Sequence, residues 1–255
     1  MSKLFKKRES KKRQNLDGLQ NKESTILNEN SKFFISEAYK TLRTNILFSA
    51  RNEGCKIFAV TSAIPGEGKT TTALNLAITF AQTEKKVVII DADMRKPKLH
   101  KYFDLDNKVG MSNILSGVFD GKNKNYIQKT NVPNLDLISS GHIPPNPIEL
   151  LSSERMPEMI RSLEETYDFI IIDTPPVNIV SDALVLSKCV TGYILVARSN
   201  YTEYNVMDAA MSKFELADIK PLGVVLNDFD QKQQKYASKG KYKYKTYYNY
   251  YRYGN

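Results

Sequence analysis

The chain has only two cysteines, two histidines and no tryptophan in 255 residues. Cys55 and Cys189 lie far apart and share no zinc-site or Cys-x-x-Cys spacing, which speaks against structural zinc and against a redox pair. Two such thiols suit a reducing compartment, where each serves as a small buried residue. Apolar runs are short, and none reaches the roughly 18 residues that a membrane-spanning helix needs. The basic N-terminus leads into polar residues 14–24 rather than into an apolar signal core. The expected location is therefore the cytoplasm. Acidic residues are missing from residues 231–255, which hold seven Lys/Arg and no Asp/Glu; residues 1–14 hold seven Lys/Arg against Glu9 alone. Taking these +7 and +6 from the formal charge of +9 leaves residues 15–230 at −4. The basicity belongs to the ends, which suits an anionic membrane surface or an acidic partner segment.

The length allows one sizeable α/β domain with a buried core, plus tails. Residues 1–30 are rich in Lys, Asn, Gln, Ser and Glu and are expected to be a disordered basic segment. Residues 31–230 form the domain. Residues 231–255 form a disordered tail holding Tyr236, Tyr242, Tyr244, Tyr247, Tyr248, Tyr250, Tyr251 and Tyr253, with no Leu, Ile, Val or Phe to build a core. Aromatics interleaved with lysine can stack on single-stranded nucleic acid. That reading leaves the choice of tyrosine over Phe or Trp unexplained, and no nucleic-acid partner is expected.

What the chain does have is a glycine loop in a telling place. Ser62-Ala63-Ile64-Pro65-Gly66-Glu67-Gly68-Lys69-Thr70-Thr71 follows the apolar run Ile57–Val60 and precedes Ala73–Ile78, so it reads as strand, tight loop, helix. It matches the phosphate-loop pattern G-x-x-x-x-G-K-[ST], with Ala63 at the first glycine. Pro65 to Thr71 would cradle a polyphosphate. Gly66 and Gly68 admit close backbone N–H groups, the helix start adds its positive dipole end, Lys69 supplies a charge, and the Thr70 hydroxyl can ligate Mg²⁺.

Two further buried strands end in acid. Lys86–Ile90 leads into Asp91-Ala92-Asp93-Met94-Arg95, and Phe169–Ile172 leads into Asp173-Thr174-Pro175-Pro176. Carboxylates at the carboxyl ends of parallel strands are where doubly wound sheets place ligand chemistry, and an Asp such as Asp173 commonly holds a Mg²⁺-bound water beside the loop. Apolar runs at 135–138, 193–197 and 222–226 extend the sheet, with helical crossovers at 70–84, 154–166, 180–190 and 203–217. The fold class is α/β: a P-loop NTPase with a doubly wound, mostly parallel sheet flanked by helices. Residues 140–147, with three prolines, read as a loop that borders the nucleotide and carries His142, either a ligand contact or a polar loop residue. In residues 36–48, Ala38, Leu42 and Ile46, with Tyr39 beside them, mark the apolar face of a helix. Asn227, at the end of the last apolar strand, is a positional candidate for contact with adenine.

Together Ala63–Thr70, the strand end Ile89–Arg95, Ile170–Pro176 and the tyrosine cluster resemble the bacterial tyrosine kinases of capsular and exopolysaccharide assembly, in the form where the cytoplasmic kinase is a separate polypeptide. Partitioning and division-site ATPases of the ParA/MinD kind share the sheet but carry a second lysine five residues before Lys69, where this chain has Ile64. They define the alternative, a nucleotide-switched ATPase that positions cargo on membrane or nucleic acid. The kinase resemblance implies ATP and Mg²⁺ as cofactors and autophosphorylation of the tail tyrosines between subunits. Lys69 would hold the β/γ-phosphates, Thr70 and Asp173 the metal, and Asp91 or Asp93 would act as base, with either able to serve on the metal side instead. A homo-oligomeric ring is implied through Glu37, Lys40 and Arg43, with Lys40 where the family usually has Arg. The implied partners are a membrane-embedded chain-length regulator, which recruits the kinase to the inner face of the membrane, and a cognate tyrosine phosphatase.

Overall fold

The computed structural model describes residues 26–50, 54–118 and 126–229. The eight tail tyrosines, and the basic N-terminal segment up to residue 25, lie outside the described residues. Of residues 26–30, read above as the end of that segment, Ile26 and Leu27 pack on the core: Leu27 is buried and its N–H donates to Asn75 Oδ1 at 2.9 Å, while residues 28–30 are exposed.

Long runs of β-branched and other apolar residues build a seven-stranded sheet. The strands are β1 (Lys56–Ser62), β2 (Val87–Asp91), β3 (Ile127–Lys129), β4 (Leu135–Ile138), β5 (Phe169–Asp173), β6 (Gly192–Arg198) and β7 (Gly223–Asn227), in the order β3-β4-β2-β5-β1-β6-β7. All neighbours pair in parallel except β3 and β4, which place one antiparallel edge strand on the sheet. Alternate residues of each buried strand serve opposite faces. Phe58, Val60, Ile89 and Ile171 pack with α1 (Phe33–Ser49) and α2 (Lys69–Ala81); Ile57, Val88, Ile90, Ile170 and Ile172 pack with the helix over Arg155–Glu164. Phe80 of α2 stacks between Phe58 and Phe169, with ring centroids 6.1 and 4.1 Å apart.

Between β2 and β5 the chain forms three short helices: α3 (Leu99–Tyr102), α4 (Met111–Leu115) and α5 (Pro147–Leu151); α6 (Arg155–Glu164) precedes β5 and α7 (Tyr204–Leu216) precedes β7. Their shortness hides them from a periodicity argument. Pro147 starts α5, because a first helical residue has no use for its N–H, so the proline-rich loop ends one residue earlier than expected. The crossover expected over 180–190 is only a 3-10 turn, Leu184–Cys189. Val177 and Asn178 are tied back to the Ser62 and Ala63 carbonyls, and Asp182 is held by Arg95, which leaves few residues for a helix. The packed stripe of α1 is Ile35, Tyr39, Leu42 and Ile46; Ala38, expected on that face, is exposed. Among the described residues no helix is long and apolar enough to cross a membrane.

Candidate active site

Strand register brings the acidic strand ends together. β2 and β5 pair with Asp91 opposite Asp173, and β5 also lies beside β1, whose carboxyl end feeds the glycine loop. Gly66 and Gly68 adopt φ of 89° and 92°, the left-handed region that a Cβ disfavours. Gly68 is the N-cap of α2 and offers it no side-chain cap; the first helical bond runs from Thr72 N–H to Gly68 O. The earlier N–H groups of α2 thus have no helical acceptor, which is the anion-binding arrangement of a helix start. A Cβ on Gly68 would come within 1.9 Å of Asn227 Nδ2.

Lys69 Nζ lies 2.9 Å from Asp93 Oδ2 and 3.4 Å from Asp173 Oδ1, and the Thr70 hydroxyl donates to Asp173 Oδ2 at 2.7 Å. Burial works against the Lys69 charge, but Asp173 and Asp93 outweigh it and hold its pKa above the ordinary lysine value. Burial pushes the Asp173 carboxyl upward, with Lys69 and the Thr70 hydroxyl opposing it. Asp91 is fully buried, and its Oδ2 accepts the Lys98 and Leu99 N–H groups, each at 2.9 Å, where α3 begins. Its Oδ1 is buried without a hydrogen-bond partner. Burial, then the charge of Asp173, raises the Asp91 pKa to about 7 against those N–H bonds and Lys69.

These residues suit Mg²⁺ and a nucleotide polyphosphate. The donor set is all oxygen, a hydroxyl and carboxylates, with a cation beside it and an orphaned carboxylate oxygen in the same acidic group. Among the described residues no group of three or more His, Cys, Asp or Glu forms a metal cage. That agrees with the habit of Mg²⁺ of taking one or two carboxylates and completing its shell with phosphates and water.

Several contacts were not visible in the sequence. Arg95 grips buried Asp182 through two bonds of 2.8 and 3.0 Å, tying the β2 acidic loop to the segment after β5. Asn227, the positional candidate for adenine, donates to Glu67 O at 2.9 Å. Asp-x-Asp-x-Arg was the one available signal for Arg95; its partner lies 87 residues away. His142 is exposed. On α1, Lys40 pairs with Glu37 at 2.7 Å, while Arg43 donates to Thr79 O of α2, within its own chain. A separate cavity of about 360 Å³ opens at the amino ends of β2 and β4, where Tyr167 and Lys129 both hold Asp136, and it includes none of the loop or acidic residues above.

Glycine loop, lysine and acidic strand ends on a parallel sheet define a P-loop nucleotide-binding domain, and the family model described as an AAA domain matches residues 55–208. Tyrosine-protein kinase YwqD of Bacillus subtilis (strain 168) is 44% identical over 209 residues, covering 81% of this chain and 86% of the relative. The Salmonella typhimurium tyrosine-protein kinase Wzc is 36% identical over 208 residues, 82% of this chain but only 29% of Wzc. Among solved structures, the chimerical protein CapA2B2 superposes with a TM-score of 0.76 at 38% identity, over 82% of this chain and 91% of that one. The chain belongs to the bacterial tyrosine-protein kinases. The septum site-determining protein MinD of Pyrococcus horikoshii OT3, solved with Mg-ADP, shares the fold at a TM-score of 0.57 and 25% identity, over 69% of this chain and 72% of that one.

Proposed function

We propose that the chain is an ATP-dependent protein-tyrosine kinase that phosphorylates its own C-terminal tyrosine cluster, one subunit acting on the tail of the next, in capsular or exopolysaccharide assembly. The observation that carries this reading is the second acidic strand end: Asp91 at the end of β2 and Asp93 just beyond it join Asp173 of β5 around Lys69. A nucleotide switch needs the loop, one such aspartate and a group that orients the attacking water. A kinase needs, in place of the last, a group that receives the acceptor's proton.

Bound Mg·ATP supplies the transferable phosphoryl group. Lys69 and the N–H groups at the start of α2 would hold the phosphates, with Asp93 steering the lysine. Thr70 and Asp173 would hold the metal ion. Asp91 would accept the tyrosine hydroxyl proton at Oδ1, which has no partner but is covered in this structure, so the acceptor's arrival must uncover it; its Oδ2 is already fixed by two N–H donors, which orients the carboxylate. Most of the rate enhancement comes from this positioning and charge neutralisation.

The tail can reach a neighbour. The roughly 23 residues from 231 to the last tyrosine span up to about 75 Å when extended at about 3.3 Å each. A ring assembled through α1 would use the exposed Glu37 and Lys40 pair, with Arg43 bracing α1 on α2. A membrane-embedded chain-length regulator would bring the kinase to the inner membrane face and activate it through its cytoplasmic segment, and a cognate phosphatase would reset the tail.

Incubation with labelled ATP, Mg²⁺ and that cytoplasmic segment tests the assignment. Label on residues 236–253 is the expected result. Release of labelled phosphate with no label on protein would place the chain with the MinD-like ATPases instead.

A further inference from the structure

Glu67 is a buried charge that the mechanism above does not use. It sits between the two left-handed glycines and is fully buried. A carboxylate within an anion-binding loop opposes its ligand unless its charge is turned away and hydrogen bonded. Its Oε2 accepts the Ile64 N–H at 2.8 Å, and its Oε1 accepts the Thr202 hydroxyl. Thr202 Oγ1 in turn accepts the Arg198 N–H at 2.8 Å. A hydroxyl has one proton, so that of Thr202 is committed to Glu67.

Three consecutive loop carbonyls are also taken, by the last residues of β6 and β7 and by the turn after β6. The Tyr201 hydroxyl donates to Pro65 O at 3.0 Å, Arg198 to Gly66 O at 3.5 Å and Asn227 to Glu67 O at 2.9 Å. In a planar trans peptide the carbonyl and the following N–H point in opposite directions. Drawing these carbonyls outward therefore turns the N–H groups of Gly66, Glu67 and Gly68 the other way, as a phosphate nest requires.

We propose that Thr202 and Glu67, together with Tyr201 on the Pro65 carbonyl, are positioning residues that hold the phosphate loop in its anion-binding shape, so that the turn after β6 sets affinity for the phosphates. This rests on the nucleotide-site reading. It assigns Thr202 and Tyr201 a role through the loop backbone rather than by contact with the phosphates.

The test is titration calorimetry of the full chain with Mg·ADP and, separately, with Mg·pyrophosphate. Thr202→Val is expected to weaken both about tenfold, about 1.4 kcal/mol, and Tyr201→Phe a few-fold. Thr202→Ser keeps both hydroxyl bonds and is expected to bind as wild type. The melting temperature without ligand should stay within about 2 °C in Thr202→Ser and Tyr201→Phe, whereas Thr202→Val, which leaves buried Glu67 Oε1 without its donor, should melt several degrees lower; Tyr201→Phe, at a half-exposed ring, carries the test if Thr202→Val does not fold. Wild-type affinity in both Thr202→Val and Tyr201→Phe would overturn the proposal, as would a Thr202→Ser protein as weak as Thr202→Val. A wild-type chain that binds no Mg·ADP would overturn the nucleotide-site reading instead.

Discussion

Replacing Asp91 with Asn should stabilise the protein in the absence of metal and nucleotide while removing its kinase activity. Burial and the charge of Asp173 raise the Asp91 carboxyl from 3.8 to about 7. Between those values the folded protein holds a proton that the unfolded chain has released. Stability from this group is therefore fully present below about pH 4 and is lost as pH rises toward and through about 7. At about 1.4 kcal/mol per pKa unit, a rise of roughly three units bounds the cost of ionised Asp91 at about 4 kcal/mol. The amide keeps an oxygen for the Lys98 and Leu99 N–H groups but adds a buried N–H₂ that needs an acceptor, so a net gain of about 1–3 kcal/mol is expected at pH 8. At about 2–4 °C per kcal/mol for a domain of this size, the melting temperature should rise by several degrees. Calorimetry in EDTA at pH 4 and pH 8 measures it. A variant that melts at or below wild type at pH 8, or that gains equally at both pH values, would refute the burial argument.

Other outcomes follow from the same contacts. Lys69→Met strips the cation from two buried carboxylates, so in addition to losing nucleotide binding it should cost about 3 kcal/mol in apo stability at neutral pH, read by urea melts. Phe80→Ala removes the ring stacked between Phe58 and Phe169 and should cost about 3–5 kcal/mol in the same assay, with loop affinity for Mg·ADP preserved in the folded fraction. Arg95→Gln leaves buried Asp182 without its bidentate partner and should destabilise by about 1–3 kcal/mol, with Arg95→Lys restoring only part because an ammonium cannot reproduce the fork. Phosphorylation of all eight tail tyrosines, at about −1.5 to −2 each, would take the +7 of residues 231–255 to roughly −5 to −9, so the modified protein should sediment as a smaller species at equal concentration and salt.

The sheet's centre and the glycine loop were legible because a parallel strand buried on both faces must be apolar throughout, and a loop that turns at Gly66 and Gly68 needs glycine there. The meeting of Asp91 with Asp173 could be anticipated, since both end buried strands at the same edge of the sheet. The segment between β2 and β5 was not legible: helices of four or five residues, α3 to α5, complete too few turns to show a period, and the edge strand β3 is only three residues long. The 3-10 turn at Leu184–Cys189 is set by ties to Ser62, Ala63 and Arg95 that local sequence does not encode. For the same reason the bracing of Glu67 by Thr202, 135 residues on, had no sequence signal. Arg43 was expected, with Glu37 and Lys40, to meet a neighbouring subunit, yet its long side chain reaches the last turn of α2 in its own chain, which only the packing of α1 on α2 reveals.

The central claim is that this loop donates phosphate to the tyrosine tail of another copy. The most direct measurement mixes two full-length variants with Mg·ATP and the partner's cytoplasmic segment: Lys69→Met with its tail intact, and a chain with an unaltered active site whose eight tail tyrosines are all Phe. Mass spectrometry of the Lys69→Met tail should find phosphate on residues 236–253, present only when both proteins are mixed. An unmodified tail, with ATP consumed by the second variant at its full rate, would contradict the account.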